Sequence, residues 1–336
     1  MSAKILLGRN ISHQTYRDIP SITEEEVAEA KLFFPLDKFF IFGHARSGTT
    51  LLTRLVRVHP MVHCNYQAHF FTRYPLLESL VADEHVGEWL SRRSNRWNQG
   101  RDLSPLVLRA ASDFIMERDA RTAGKGETGC IVGDKSPNNL LNGEAVPLMA
   151  KVYPDARLIY IVRDGRDAIL SHRFQMFIDK SQNLTKEDLL IRQAFASNPE
   201  PFLTGQRSIF TEKGLRQGAK GWARNVVETN QAAIDWFGDQ YHHLRYDDLL
   251  TDPRAEMNRL WKFLGVDPHT PELAVALEAE LSSNPDADWQ RQKAEDIASV
   301  LEKGKPGSWQ EMFTNKDRIT FNEIAGGVLK DWGYAE

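Results

Sequence analysis

Apolar residues gather into a few short runs separated by polar, glycine-marked breaks. The run Lys38-Phe39-Phe40-Ile41-Phe42 reads as a buried strand. A loop from Gly43 to Gly48 follows, and Leu51, Leu52, Leu55, Val56 and Val58 then recur at helical spacing. The pattern returns at 157–171, where an apolar strand run ends in a tight turn at Asp164-Gly165 and passes into a helix. Two shorter strand candidates lie at Cys130-Ile131-Val132-Gly133 and at residues 241–246. Helices are predicted at 148–152, stopped by Pro154, at 221–237, and from Pro253 through Leu264. Strands alternating with helices, without repeats, predict one α/β domain over residues 38–336 with a central parallel sheet flanked by helices.

Residues 1–37 read as an N-terminal helical extension. Thr23 and Glu26 have capping-box spacing, and Val27, Ala30 and Leu32 supply an apolar side. Two more polar stretches, about 72–130 and 172–220, read as helical insertions capping the site. The first gathers Arg92, Arg93, Arg96 and Arg101 around Trp89 and Trp97, either as a solvated helical face or as a surface for an anionic or sugar acceptor.

Composition adds limits. At 336 residues, with 41% hydrophobic and 26% charged residues, the chain can bury a substantial core. A net charge of −4 gives no global attraction to nucleic acid or an anionic membrane, so any bound anion needs Arg and Lys gathered locally. Cys64 and Cys130 are too few for a disulfide framework and lack metal-ligand spacing. The N-terminal apolar run ends too soon for a signal peptide, and no window reaches about 18 apolar residues. A cytoplasmic protein without a membrane span is therefore expected.

The candidate chemistry sits where strands end. Strand, glycine loop and helix aim several backbone N–H groups, and the positive end of a helix dipole, at one point. That geometry binds phosphate. The spacing Gly43-x-x-x-x-Gly48-Thr49-Thr50 is close to a nucleotide-binding P-loop, yet Thr49 stands where the phosphate-clamping lysine belongs and the cation, Arg46, lies inside the loop. Without further residues, the loop could also be an ordinary glycine turn. Arg163 closes the strand at 157–162, and Ser171 lies eight positions on, about two helical turns away. A strand-end guanidinium and a helix hydroxyl can meet on one phosphate. A Walker-B reading of the same strand would need Asp164 to face a metal ion, and Arg163 beside it suits an anion better.

Arg46-Ser47-Gly48-Thr49-Thr50 resembles the 5′-phosphosulfate loop of sulfotransferases that use 3′-phosphoadenosine 5′-phosphosulfate (PAPS), a family in which the loop cation is Lys in cytosolic members and Arg in tyrosylprotein-type members. The Arg163…Ser171 element resembles the part that holds the cofactor's 3′-phosphate. Tyr246 matches a tyrosine lying against the adenine. Lys303-Gly304-Lys305-Pro306-Gly307-Ser308-Trp309 is similar to the Gly-x-x-Gly-x-Trp segment of the cofactor site, with Glu302 in place of an arginine and Lys305 as a compensating cation.

The resemblance implies a P-loop-type fold and transfer of a sulfuryl group to a hydroxyl or amine of a sugar or small molecule. PAP would be the product, with no metal. Arg46 would stabilise the leaving oxygen, Ser47, Gly48, Thr49 and Thr50 would hold the 5′ end, and Lys135 would contact the sulfuryl group. For the general base, Pro137 and Gln67 occupy the two positions the family uses. His69 is the expected base, with His63 and Asp134 as alternatives. A metal site among His59, His63 and His69 is disfavoured, because Pro60 breaks the helical spacing. A P-loop kinase with an atypical loop is the competing class, and a homodimer is one option for assembly.

Overall fold

The computed structural model describes residues 17–73, 76–179, 181–269, 271–283, 297 and 305–334. Five parallel strands form one sheet: β1 (Asp37–Gly43), β2 (Val62–Tyr66), β3 (Ile131–Lys135), β4 (Arg157–Val162) and β5 (Tyr241–Arg245), in the order β2-β3-β1-β4-β5. The expected parallel α/β architecture is therefore present, with β1 at its centre. Phe40 pairs with Asp134 on one side and Leu158 on the other. Because every strand points the same way, the loops after β1, β3 and β4 emerge side by side at one edge, where open α/β sheets bind ligands.

Side chains of β1 alternate between two cores, as a pleated strand requires. Phe40 and Phe42 join Val132, Leu158, Tyr160 and Trp222 on one face. Phe39 and Ile41 join Leu52, Leu55, Ile159 and Trp261 on the other. Burial on both faces is why β1 and β4 read as nearly continuous apolar runs, whereas β3 ends in the buried charged residues Asp134 and Lys135.

β2 was not anticipated. Its sequence, Val62-His63-Cys64-Asn65-Tyr66, alternates apolar and polar residues, although Val62 to Asn65 are buried and pair with β3. The last strand stops at Arg245, and Tyr246 begins a helix instead. The helix predicted at 221–237 begins earlier, at Glu212. Thr211 caps it by accepting from the Gly214 N–H, and Gly218 packs against Ile169 instead of breaking it.

The capping box at Thr23 and Glu26 forms and starts the helix Glu24–Phe33, but Leu32 is 81% exposed and does not face the core. The stretch 76–122 is helical over Leu76–Ala82, Glu84–Ser91 and Ser104–Thr122. Its helix Ser104–Thr122 runs near the strand starts: Glu117 accepts from the Leu36 N–H, and Arg109 pairs with Asp155 just before β4. Arg101 bonds Thr23 and Glu26, so the basic-aromatic group is anchored to the N-terminal arm. No helix among the described residues is long and apolar enough to cross a membrane.

Lys38 is buried at the start of β1, 3.0 Å from Glu117 and 3.4 Å from Asp113. Removing one member strands buried charge. Lys38→Ala should lower unfolding stability by about 3–5 kcal/mol, read from denaturant midpoints. A loss below about 1 kcal/mol would show that the carboxylates neutralise without cost.

Candidate functional site

The loop after β1 is shaped by backbone conformations that most residues avoid. Gly48 has φ 90° and precedes the helix Thr49–Val56, and a Cβ there would lie 2.2 Å from the Tyr246 ring. Arg46 holds φ 72°, a left-handed conformation uncommon outside glycine. The helix has no side-chain cap and no acidic residue in its first turn, so its N–H groups and dipole stay directed at the loop. Ser47 is fully buried, and its Oγ has no hydrogen-bond partner. A buried hydroxyl left this way is costly unless an anion or water completes it.

Cations surround this cradle. Arg46 Nε donates to Ser171 Oγ at 3.1 Å, joining the loop to the helix Gly165–Asp179 that follows β4. Arg163 reaches the carbonyl of Arg46 at 3.5 Å and that of Lys305 at 3.2 Å, and its guanidinium lies 4.7 Å from the Tyr246 ring centre. Its Nε is buried and unbonded. On the other flank, the last residue of β3, Lys135, donates to Thr50 Oγ1 at 3.3 Å and sits 5.2 Å from the Tyr66 ring centre. Arg46, Ser47, Gly48, Thr50, Lys135, Arg163, Ser171 and Tyr246 thus converge, and Thr49 starts the helix beneath them. Tyr246 covers both Gly48 and Arg163 and is 5% exposed. Lys303 and Gly304, with Glu302, lie outside the described residues.

The three base candidates separate. His69 is half-buried in the segment after β2; its N–H donates to Ser136 Oγ at 2.9 Å and its Nδ1 lies 2.9 Å from Thr72 Oγ1. Burial lowers its pKa below the usual histidine value, and the charges of Arg73 and Lys135 add to that. Asp134 uses both oxygens structurally, accepting from Ser136 Oγ at 2.6 Å and the Ala68 N–H at 3.0 Å. Burial pushes its carboxyl up to about 6. It holds the segment that carries His69. His63 points elsewhere, with Nε2 2.6 Å from Asp119 on the helix Ser104–Thr122.

Three residues escaped the sequence reading. His44, inside the loop, donates from Nδ1 to the Ala45 carbonyl at 2.9 Å, and burial drops its pKa to about 4. Asp167 accepts from the N–H groups of Gly307 at 2.7 Å and Trp309 at 3.1 Å. Arg166 stacks 3.6 Å over the Trp309 ring while pairing with Asp164. The first could have been suspected from its place one residue past Gly43. The other two depend on a contact across 140 residues, which carries no local signal.

The fold and loop define a P-loop-type α/β domain with an arginine, Arg46, inside the loop and Thr49 where a lysine would follow Gly48. A family description reading "Sulfotransferase family" matches residues 38–271, and the chain belongs to this family. It is 23% identical over 265 residues to a protein-tyrosine sulfotransferase of Drosophila melanogaster, covering 78% of this chain and 45% of that one. Protein-tyrosine sulfotransferase A of Caenorhabditis elegans is 25% identical over 235 residues, covering 68% of this chain and 49% of that one. The chain therefore spans about half the length of these curated relatives. Among solved structures, mouse sulfotransferase SULT7A1 complexed with PAP superposes with a TM-score of 0.47 at 17% identity, over 92% of this chain and 90% of that one. Family membership does not favour the kinase alternative.

Proposed function

We propose that the chain is a PAPS-dependent sulfotransferase whose acceptor is a phenolic hydroxyl, with tyrosine in a peptide or protein as the first acceptor to test. The observation that carries the reading is the pair of cations on either flank of one loop: Arg46 on Ser171 at 3.1 Å and Lys135 on Thr50 at 3.3 Å. The acceptor class comes from the names of the relatives, and it replaces the sugar or small metabolite favoured by sequence.

The residues fit the cofactor. The bare Ser47 Oγ, the Gly48 backbone and the uncapped helix start suit a 5′-phosphate end, held with Thr49 and Thr50. Arg163, with an unbonded buried Nε, and Ser171 suit a second phosphate, and Tyr246 beside them offers a ring for a base. When bound, PAPS supplies an activated sulfuryl group on a phosphate leaving group. Arg46 and Lys135 place positive charge where negative charge would gather, which is how positioned electrostatics assist such transfers.

His69 is the proposed base. With its Nδ1 proton given to Thr72, Nε2 has a lone pair to accept the acceptor's hydroxyl proton. Only the neutral ring can do this. Because burial lowers its pKa, the working form persists below the ordinary histidine value and is lost as pH falls further. The acid limb of kcat/KM should therefore have its midpoint below about 6.5. His69→Ala should cut turnover about 10²- to 10⁴-fold while PAP binding is retained. Turnover near wild type would move the base to another residue.

Labelled PAPS offered with tyrosine peptides, simple phenols and sugars tests the whole reading. Label on tyrosine or phenol is expected. Label on sugars alone would overturn the acceptor class, and label on none, with PAP still bound, would leave a binding protein without this activity.

A further inference from the structure

The C-terminal segment 305–309 reaches the phosphate site through one buried carboxylate. Asp167 lies in the first turn of the helix that follows β4, and its side chain is 1% exposed. Its two oxygens take separate N–H groups, Gly307 at 2.7 Å and Trp309 at 3.1 Å. The same carboxylate faces Arg163 at 4.0 Å. Next to it, Arg166 stacks on the Trp309 ring at 3.6 Å while Asp164 holds its guanidinium at 2.7 Å. Docked in this way, the segment delivers the Lys305 carbonyl to Arg163 Nη2 at 3.2 Å. The guanidinium is thereby bounded by the Asp167 carboxylate, the Lys305 and Arg46 carbonyls and the Tyr246 ring.

We propose that Asp167 is a positioning residue that fastens segment 305–309 to Arg163 and so sets the selectivity of the site for a ligand with a second phosphate. This rests on the PAPS reading above. Charge and position make opposite predictions. Asp167 is negative and close to the phosphate-binding arginine, so on charge alone its removal should strengthen binding of an anion. As a fastener, its removal releases two N–H groups and frees Arg163 to reorient, so binding of the second phosphate should weaken.

The test compares PAP with 5′-AMP, which lacks the 3′-phosphate, on the full chain by calorimetry. Wild type should prefer PAP. Asp167→Asn should bind PAP about 10- to 100-fold more weakly, the scale of lost charge-assisted hydrogen bonds, with 5′-AMP affinity unchanged. A ratio equal to wild type, or tighter PAP binding, overturns the proposal while the cofactor reading stands. A wild type indifferent to PAP overturns both. If Asp167→Asn does not yield folded protein, Trp309→Ala loosens the same segment from its other anchor on Arg166. It should lower the PAP preference likewise, and an unchanged preference there also overturns the proposal.

Discussion

Replacing Arg46 with Ala is expected to lower kcat about 10³-fold, with a much smaller loss in PAP affinity. The proposed anion cradle is largely backbone, and it should survive the truncation. What disappears is the guanidinium fixed by Ser171 at 3.1 Å beside the loop. Only interactions stronger in the transition state than in the bound ground state raise kcat, and a cation at the leaving oxygen is of that kind. Arg46→Lys should recover part of the loss, since charge returns without the Nε–H that donates to Ser171. Single-turnover transfer of labelled sulfuryl group measures this. An Arg46→Ala enzyme within about fivefold of wild type would show that the charge is supplied elsewhere.

The second large effect is on the loop's shape. Gly48→Ala places a methyl group 2.2 Å from the Tyr246 ring on a residue held at φ 90°. Backbone strain and overpacking together should cost about 2–5 kcal/mol of unfolding stability and abolish PAP binding. These two parts can be separated. In a Gly48→Ala, Tyr246→Ala double variant the clash is gone and the strain remains, so the two costs should fall short of adding by about 1–3 kcal/mol. Strict additivity, read from denaturant midpoints, would mean that Tyr246 does not press on the loop.

The parts legible from sequence are those whose signal is local. β1 and β4 announce themselves because parallel strands buried on both faces read as unbroken apolar runs, and Gly48 of the phosphate loop holds a conformation that glycine adopts easily. Arg163 and Ser171 share one strand–helix unit, so their spacing is in the sequence. β2 was hidden by its polar residues: His63 is buried yet bonded to Asp119, and Asn65 is buried beside β3, so neither looks apolar. How His69, His63 and Asp134 are engaged depends on which way β2 faces and on which oxygens Asp134 already spends, and neither has a local signal. The surroundings of the basic-aromatic stretch were not legible, because the partners of Arg101, Thr23 and Glu26, lie in the N-terminal arm. Asp167 was missed for a related reason, since its partners come from the far end of the chain.

Calorimetry of the purified chain in EDTA, titrated with PAP and then with ADP, tests the central claim most directly, with ATP–Mg²⁺ as a third titration without chelator. The two proposed phosphate seats, one at the loop and one at Arg163 and Ser171, predict that PAP binds without metal and at least tenfold tighter than ADP. Binding of ATP–Mg²⁺ with no heat from PAP would contradict it.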